Sequence, residues 1–535
     1  MKYIATFFSA AALLMAAPAI AQNLNPQVQV TNDYNADLGK SGKQSVPLEV
    51  PDSLSSFRTS VSYNVFATPY KGSYEFVPYE ISVTPQKPAS DNSVFYLRAG
   101  AGYSFHPELT AIWNPLQGVK QHSLTVFERA GGYVGRYASL DGRPDYSGHD
   151  LSEKVGIEGR WFANSFTLGY GLDYQGIYTG DFAENVNFND FTLRGKLRSD
   201  TDSKIIYNLD VEVNQAFDRQ VSQTGIKAKG GFFPNWVLPF ELRLDFSIDS
   251  DFYENGGFDN VFVAQISPKA LFDWSPIRLS AGVSISPASD IQWIYPDVNI
   301  TADLLDGTLQ AYAYAKGGQF ARSYTDLKFA DHWFNASYTN VMKPTMERLN
   351  AGLGFRGSAF KYLQFDIRGG WASFADAPMH SYTVDALDAT LRNCGIVYAD
   401  YNAVYADADA HWKSSRLNVD ASLQYRHTNI VPNANYLDLP EFAGRIDIMY
   451  NWNSRIFAGV NCSGQTMMDS SVDPVPAFID LGLKGEYLFN KRFGAWANVG
   501  NILNNKIALS PLHIRKGIYV TAGVSINLPL QVARR

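Results

Sequence analysis

Cysteine, charge and long apolar stretches are all scarce in this sequence of 535 residues. With only two cysteines, the chain is not a small fold held by a disulfide framework. Charged residues make up 18% of the chain, below the roughly 25% of an average soluble domain. Beyond the N-terminus we find no run of about 20 apolar residues, which excludes a bundle of membrane-spanning helices. Because 45 basic residues face 52 acidic ones, we expect no nucleic-acid partner.

Aromatic residues and glycine are abundant instead, with 34 Phe, 31 Tyr and 42 Gly. A disordered chain lacks aromatic residues, so this composition predicts a folded protein. The length is compatible with several soluble domains or with one large barrel. The hydrophobic pattern along the chain decides between these two architectures.

The first 21 residues have the features of a secretory signal peptide. Lys2 gives a positive start, an apolar stretch follows, and the small residues Ala19 and Ala21 precede a predicted cleavage before Gln22. The mature chain is therefore expected to be exported. In that setting Cys394 and Cys462 form one disulfide or remain two separate thiols, and the sequence leaves both alternatives open.

Hydrophobic residues alternate with polar ones along most of the chain. In residues 238–248 Leu, Phe and Ile occupy the even positions, and mostly polar or charged residues occupy the odd ones. The same alternation recurs in 166–175, 277–285, 417–426, 479–487 and 518–528. Successive side chains of a strand point to opposite faces, so each segment has one apolar and one polar face.

Strand length separates a membrane barrel from a soluble sandwich, which also alternates. Sandwich strands average about 5–6 residues, whereas these patterns run for about 9–13, close to the length that crosses a bilayer. Short and mostly longer connections also take turns along the chain, as in outer-membrane barrels. We therefore predict an all-β fold, a transmembrane antiparallel β-barrel of about 22 strands with short periplasmic turns and long extracellular loops.

The predicted organisation has four parts. Residues 1–21 are the signal peptide, 22–93 form an N-terminal segment that lies in the periplasm or in the lumen, 94–528 form the barrel, and 529–535 are a periplasmic tail. The last strand is expected to stop near Leu528, because Pro529 cannot donate a ladder hydrogen bond. An even strand number places both termini on the periplasmic side of a Gram-negative outer membrane.

Charged residues on the polar faces are the first candidate functional set. Their parity places them opposite the apolar face, so we expect them to face the lumen. Either they line a pore that screens solutes by sign and size, or they form a salt-bridge network that stiffens the wall. The candidates are Arg98, Lys154, Glu158, Arg160, Asp173, Glu241, Arg243, Asp245, Arg278, Asp366, Arg368, Asp420, Arg426, Lys484 and Glu486.

Aromatic residues in the longest predicted extracellular loop, 317–345, are the second candidate set. They stack on a sugar, meet a partner protein, or fold the loop inward as a lid, and the sequence leaves these alternatives open. The candidates are Phe320, Tyr324, Phe329, Trp333 and Phe334, and Tyr338 lies in the same loop.

Catalytic and metal-binding signals are weak. None of the eight His residues has a metal-ligand spacing. Two adjacent pairs on predicted outer loops, His149 with Asp150 and Asp331 with His332, stand out as candidates for a rim enzyme, but solvated loop residues are the better interpretation. We therefore predict no catalytic residue, no metal site and no cofactor.

Several short motifs give the chain a family resemblance. Val-Pro-Asp-Ser-Leu at 50–54 precedes Phe-Tyr-Leu-Arg-Ala-Gly-Ala-Gly-Tyr at 95–103. Near the end, 480–487, Asn-Lys-Arg-Phe at 490–493 and Asn-Ile-Leu-Asn-Asn-Lys at 501–506 follow in order. The layout resembles the TonB-dependent receptor-like barrels of Bacteroidetes-type outer membranes. The segment before the barrel is about half as long as the family's plug and carries no convincing TonB box, so the resemblance is to a plugless or reduced-plug member.

Two functions follow as expectations. The resemblance implies a barrel that passes or binds a solute at the cell surface. The short N-terminal segment and the aromatic loop favour, as the alternative, a non-conducting barrel that acts as a structural or assembly partner of surface lipoproteins or periplasmic proteins. In both cases the outer-membrane lipid surrounds the barrel, and solute passage is slightly favoured.

Overall fold

The structure of the chain is a computed structural model. It describes residues 93–529 except 104, 117–118, 120, 139–144, 181–184, 200–204, 235–239, 288–291, 306–307, 336–340, 361, 385–391, 431–438, 469–473 and 509–512, and except the side chains of 382–384 and 392–394.

Strands make up nearly all of the described residues. The first twelve are β1 Ser93–Tyr103, β2 Glu108–Trp113, β3 His122–Ala138, β4 Tyr146–Phe162, β5 Phe166–Gly180, β6 Asn185–Ser199, β7 Ile205–Phe217, β8 Val221–Pro234, β9 Glu241–Asn255, β10 Val261–Trp274, β11 Ile277–Ile285 and β12 Ile294–Leu305. The others are β13 Leu309–Ala321, β14 Pro344–Ala359, β15 Leu363–Val384, β16 Arg392–Lys413, β17 Leu417–Ile430, β18 Phe442–Trp452, β19 Ile456–Gln465, β20 Phe478–Leu488, β21 Phe493–Gly500, β22 Ile507–Ala508, β23 Ile514–Arg515 and β24 Tyr519–Pro529.

The strands close into one antiparallel barrel. Each strand from β1 to β21 pairs with the next, β21 pairs with β24, and β24 pairs with β1 along a register that includes Gly100 opposite Gly523. This ring contains 22 strands, since β22 and β23 lie outside it. The predicted fold class, an all-β antiparallel barrel of about 22 strands, is confirmed.

The outer face of the wall is apolar, as a lipid-facing surface requires. In β9, Leu242, Leu244 and Ile248 are exposed, whereas Arg243 and Asp245 between them form an ion pair on the other face. Exposed large apolar side chains cost free energy in water but not in a bilayer. The alternation in the sequence therefore corresponds to a lipid face and a lumen face.

The connections differ at the two ends of the barrel. At the short-turn end, β10 stops at Trp274 and β11 begins at Ile277, so two residues connect the strands. Exposed tryptophans at this end, Trp161, Trp274 and Trp452, match the aromatic girdle of a membrane interface.

At the other end, called the loop end, the strands are longer than we predicted. β15 and β16 have 22 residues each, and β9 continues to Asn255, seven residues beyond the alternating segment 238–248. Antiparallel pairing continues above the apolar band because it still satisfies the backbone hydrogen bonds. The expected strand length of about 9–13 residues, which was based on bilayer thickness, was too short at this end.

Two short strands at the loop end, β22 and β23, are called the strap together with His513, so the strap comprises residues 507–508 and 513–515. Its strands β22 and β23 pair with each other, and β23 pairs with β3 through Ile514 opposite Ala138 and Arg515 opposite Tyr137. The strap belongs to the connection between β21 and β24, so it reaches over β24, β1 and β2 to arrive at β3.

One helix, α1 at Tyr324–Ala330, lies in the connection between β13 and β14. Within the part of the chain that the structure describes, no helix has the length and apolarity needed to span a membrane.

Candidate functional site

A structured segment at residues 322–335, called the lid, contains α1. The helix begins with a capping box: the Ser323 hydroxyl accepts a hydrogen bond from the Asp326 amide at 3.0 Å, and the Asp326 carboxylate accepts one from the Ser323 amide at 3.2 Å. These two bonds satisfy amides that a helix start leaves unpaired. A helix of only seven residues is unstable alone, so its packing must hold it in place.

That packing is apolar and points into the barrel. Tyr324, Leu327 and Phe334 are buried in one cluster with Phe188 of β6 and Val221 of β8. Burying a large apolar side chain contributes about 1.5–3 kcal/mol, so these contacts dominate the stability of the lid. The aromatic side chains of the lid are turned inward, and we call this cluster the seat.

Buried hydrogen bonds fix the position of the lid on the seat. The side-chain oxygen of Gln223 accepts bonds from the amide and the hydroxyl of Thr325, at 2.9 and 3.0 Å. The Gln223 amide group donates to Asp251 at 2.8 Å, and Asn214 donates to the Thr325 hydroxyl at 3.3 Å. A shifted lid would leave these buried groups unpaired, which is costly.

An ion pair adds to the seat. The Lys227 ammonium of β8 lies 3.1 Å from the Asp326 carboxylate. Burial works to raise the pKa of Asp326, but the positive charges of Lys227 and Arg322 outweigh it and hold that pKa below its ordinary value. Asp326 is therefore ionised when the lid is seated.

A second attachment joins the lid to the strap through one carboxylate. The two oxygens of Asp150 in β4 accept hydrogen bonds from different segments, from His332 Nδ1 of the lid at 2.6 Å and from Arg515 Nη2 of the strap at 2.7 Å. Gly132 of β3 has φ +149°, and a Cβ there would lie 2.1 Å from the Asp150 carbonyl oxygen. A glycine at this position therefore allows β3 to approach β4 beside Asp150.

The charge of His332 depends on this contact. Burial works to lower the pKa of His332, but the Asp150 carboxylate outweighs burial and raises that pKa above its ordinary value. The imidazole is therefore held towards its protonated, doubly donating form.

Aromatic stacking accompanies the ionic contacts. The rings of Trp333 in the lid and His513 beside β23 are stacked with centroids 3.6 Å apart, and Tyr137 meets Trp333 edge-on at 5.8 Å. The Arg515 guanidinium lies 5.2 Å from the Tyr133 ring. The contacts of Asp150, His332, Trp333, Arg515 and His513 are called the latch.

The opposite side of the lid contacts β15 and β16, the two strands of 22 residues. His380 of β15 lies 3.5 Å from the buried Asp331 carboxylate, and the Lys343 amide donates to the Tyr398 hydroxyl of β16 at 2.9 Å. The segment between β13 and β14 thus contacts β4, β6 and β8 as well as β15 and β16. It crosses the loop end of the barrel.

An internal cavity of about 1000 Å³ is lined by residues from β6 to β17. Aromatic side chains of β13, β15 and β16 that line it include Tyr312, Tyr314, Phe374, Tyr401 and Tyr405. The Tyr314 and Tyr405 hydroxyls are hydrogen-bonded to each other, and Tyr405 also donates to Asn350. This part of the cavity wall therefore offers hydroxyls and ring edges.

Charged side chains in the wall join into chains that run across the strands. Asp245 of β9 lies 2.6 Å from Arg243 and 3.1 Å from Lys269 of β10, and Lys269 lies 2.6 Å from Asp297 of β12. Further along the same wall, beyond β8, Asp173 of β5 pairs with Lys154 of β4 and with Arg194 of β6.

Arg194 continues that second chain to Glu212 of β7 at 2.9 Å. Each of these two chains joins two acidic and two basic side chains, so neither chain carries a net charge.

Most of the other predicted lumen residues contact a polar side chain: Arg98 with Glu108, Arg278 with Asp303, Asp366 with Tyr312, Arg368 with Asp407, Asp420 with His411, Lys484 with Asp447, and Glu486 with Ser525. Glu241 and Arg426 line the cavity, and Glu158 and Arg160 have the same parity in β4 as Lys154.

Several partners in these chains were missed by the sequence reasoning. Arg194, Lys269, Asp297, Asp407 and Asp447 were not among the candidates, although each has the same parity signal as the residues that were. Extending the alternation through β6, β10, β12, β16 and β18 would have found them.

The predicted loop residues need one correction. Phe320 is not in the loop, because pairing with Thr345 of β14 keeps it in β13. Tyr324 and Phe329 are in α1, Trp333 and Phe334 follow it, and Tyr338 is outside the described residues.

Cysteine and metal chemistry add little to the site. Cys462 is a half-buried free thiol, and the side chain of Cys394 is outside the described ones. Among the residues with described positions, no three His, Cys, Asp or Glu side chains are arranged to hold a metal ion.

Comparison with known proteins identifies the architecture. No protein-family model matches the sequence, and no curated protein matches it. Solved structures match in fold. The copper transporter OprC aligns over 81% of this chain and 80% of its own, with a TM-score of 0.55 and 13% sequence identity.

Two receptors align similarly. The ferric enterobactin receptor PfeA from Pseudomonas aeruginosa aligns over 81% of both chains, with a TM-score of 0.57 and 10% identity. The ferric-catecholate import receptor Fiu from E. coli aligns over 82% of both, with a TM-score of 0.58 and 9% identity. The chain thus shares the barrel fold of these receptors, and at such identities the likeness concerns the fold alone.

Proposed function

We infer that this chain is a TonB-dependent receptor-like barrel of the outer membrane that binds a solute at the cell surface and passes it inward. The observation that carries this is the cavity of about 1000 Å³ inside a closed barrel whose loop end is crossed by the lid. Small-molecule sites have volumes of about 300–1000 Å³. The shared fold of a copper transporter and two iron-complex receptors supports the same class of function.

The chemistry of the wall favours a polar solute of low net charge. Carboxylates and cations that are paired with each other produce a weak electrostatic potential, so they select little between positive and negative solutes. Tyrosine hydroxyls and ring edges instead offer hydrogen bonds and stacking. A strongly charged solute would have to separate ion pairs that already satisfy each other.

The proposed orientation follows from the sequence and the connections. Residues 1–21 direct export, the loop end faces the exterior, and both termini of the barrel face the periplasm. Residues 22–93 occupy the periplasm or the lumen, and 529–535 form a periplasmic tail. A reduced-plug member of the Bacteroidetes-type family has this arrangement, with outer-membrane lipid around the apolar face.

Single-channel conductance of the purified mature protein in a planar bilayer tests this function. An open route through the cavity predicts a measurable conductance with weak selectivity between K⁺ and Cl⁻, because many of the wall charges are paired. A barrel that migrates as folded but carries no current, even after deletion of residues 22–92, would contradict solute passage.

A pair of arginine variants tests whether the route passes through the cavity. Arg368 lines the cavity and pairs with the buried Asp407 at 2.9 Å, so Arg368→Gln leaves a carboxylate facing the route and shifts selectivity towards K⁺. Arg194 likewise pairs with a buried carboxylate, that of Asp173, but does not line the cavity. Arg194→Gln is therefore the matched control, with little expected change in reversal potential.

The alternative function is a structural or assembly role without conduction. The buried seat of the lid is the observation that favours it, because a permanently covered loop end would block entry. The partners would be surface lipoproteins or periplasmic proteins. A stoichiometric partner that remains bound to a non-conducting barrel in mild detergent would support this role over solute passage.

A further inference from the structure

Two segments that are far apart in sequence meet on one side chain at the loop end. The lid lies between β13 and β14, and the strap lies between β21 and β24. Each gives one hydrogen bond to Asp150, from His332 and from Arg515. Each oxygen of the Asp150 carboxylate thus accepts a hydrogen bond from a different segment.

The shared carboxylate makes the two contacts interdependent. Asp150 and Arg515 are both nearly fully buried, so each needs its partner's charge to offset the loss of water. When the strap leaves, Asp150 loses a cation, moves or gains water, and no longer presents a fixed acceptor to His332. When the lid leaves, the same argument applies to Arg515.

A second contact joins the segments without Asp150. The stacked rings of Trp333 and His513 lie on the lid and beside β23 respectively, with centroids 3.6 Å apart. Displacing the strap exposes the face of Trp333, and displacing the lid exposes the face of His513. Both contacts are lost together in either movement.

The strap itself has little backbone support. β22 and β23 share two residue pairs, and β23 shares two more with β3 through Ala138 and Tyr137. So short a ladder is weak. The side-chain contacts of Arg515 with Asp150 and of His513 with Trp333 therefore contribute much of the attachment of the strap to the barrel.

We propose that the lid and the strap open as one unit, with Asp150 as the positioning residue that couples them. The coupling goes beyond the proposed function, because it concerns how the loop end opens and holds whatever solute enters. Its signature is reciprocal: a change confined to the strap must alter the lid, and a change confined to the lid must alter the strap.

Amide hydrogen exchange of the full-length barrel in detergent measures this coupling. The amides of Leu327 and Asp331 report on the lid, since they donate to Ser323 and Leu327 at 3.0 and 2.9 Å. The residues of β23 report on the strap. Arg515→Gln, which changes only the strap, is expected to speed lid exchange by about 5- to 150-fold, the range of typical coupling.

Lys516→Gln is the matched control on the strap side. Lys516 follows Arg515 and pairs with the exposed Asp145 at 2.8 Å, not with Asp150. Its loss is expected to leave lid exchange unchanged. His332→Gln gives the reciprocal test, with faster exchange at β23.

Heat-modifiable mobility on gels verifies that each variant still forms the barrel. Faster strap exchange in Arg515→Gln with an unchanged lid would show independent opening and overturn the proposal. Should that variant not fold, Arg515→Lys carries the same test, because a point charge keeps attraction to Asp150 but loses the planar guanidinium geometry. In the double variant with His332→Gln, effects that simply add would also overturn the coupling.

Discussion

The seat and the latch hold the same lid by different physics. The seat buries Tyr324, Leu327 and Phe334 among strands β6 and β8 and pairs Thr325 with Gln223. The latch relies on charge and ring stacking around Asp150. The seat also includes the Lys227–Asp326 ion pair, but its apolar burial responds little to pH, whereas the shared ion pair of the latch responds to both pH and salt.

This difference separates two properties of the lid. The seat sets how strongly the lid is docked, because its buried area is large. The latch sets under which conditions it is released and what moves with it. Variants of the seat are therefore expected to change the free energy of lid opening more than changes at the latch's titratable group, in the order given below.

The largest effect is expected from Phe334→Ala. Phe334 is fully buried in the seat, and truncating a core phenylalanine typically costs about 3–5 kcal/mol. Exchange of the Leu327 amide is expected to rise by about 100-fold or more, since about 1.4 kcal/mol corresponds to a factor of ten. Phe329→Ala, at a partly buried position of the same cluster, serves as the smaller comparison. Equal effects of the two variants would mean that the seat is not centred on Phe334.

A smaller effect is expected from Gln223→Leu. This change removes the acceptor for Thr325 and the donor to Asp251 in a buried setting, at a cost of about 1–3 kcal/mol. Lid exchange is expected to rise, measured on the same amide. Gln215→Leu removes an exposed glutamine with hydrogen bonds to Ser222 and Thr224 and is the matched control. If Gln215→Leu speeds lid exchange as much as Gln223→Leu does, the buried hydrogen bonds of Gln223 do not hold the lid in place.

The helix cap is expected to contribute less again. Ser323→Ala removes the hydroxyl of the capping box, and such losses cost about 0.5–2 kcal/mol. Faster exchange at Leu327 is the expected result. Ser323→Thr keeps the acceptor and should restore slow exchange, and its failure to do so would show that the cap does not hold the helix.

The smallest effect is expected from pH at the latch. The pKa of His332 is raised in the folded protein, so the stabilisation is complete below the ordinary histidine value of about 6.5 and is lost as pH rises through the raised value. Lid exchange, corrected for the intrinsic pH dependence of amides, is expected to quicken between these values. His332→Gln should abolish this step, and a step that persists in His332→Gln would assign it to another group.

Local patterns in the sequence predict the wall better than the lid. The alternation in 238–248 correctly gives the apolar and charged faces of β9, because the two-residue period is a property of neighbouring positions. The turn after Trp274 is equally local. The extent of β15 and β16 is not, since pairing above the membrane depends on the partner strand and not on bilayer thickness.

The contacts of the lid depend on residues that no local pattern relates. Asp150 and His332 are 182 positions apart, and each was singled out as part of a separate pair, His149 with Asp150 and Asp331 with His332. Nothing in one sequence states that Asp150 meets His332. The helix was more accessible: Ser323 followed by Asp326 and then Leu327 is a capping-box signal that could have indicated α1 within the predicted loop.

The strap has a consequence for the order in which the molecule is assembled. It precedes the final strand, and it pairs with β3 only by passing above β24, β1 and β2. While β1 and β24 are apart, they form the two edges of an open sheet, β3 and β21 lie near opposite edges, and this pairing is out of reach. The pairing of Arg515 with Tyr137 can therefore form only after β1 and β24 have paired. A barrel that has not closed lacks this contact across the β1–β24 seam.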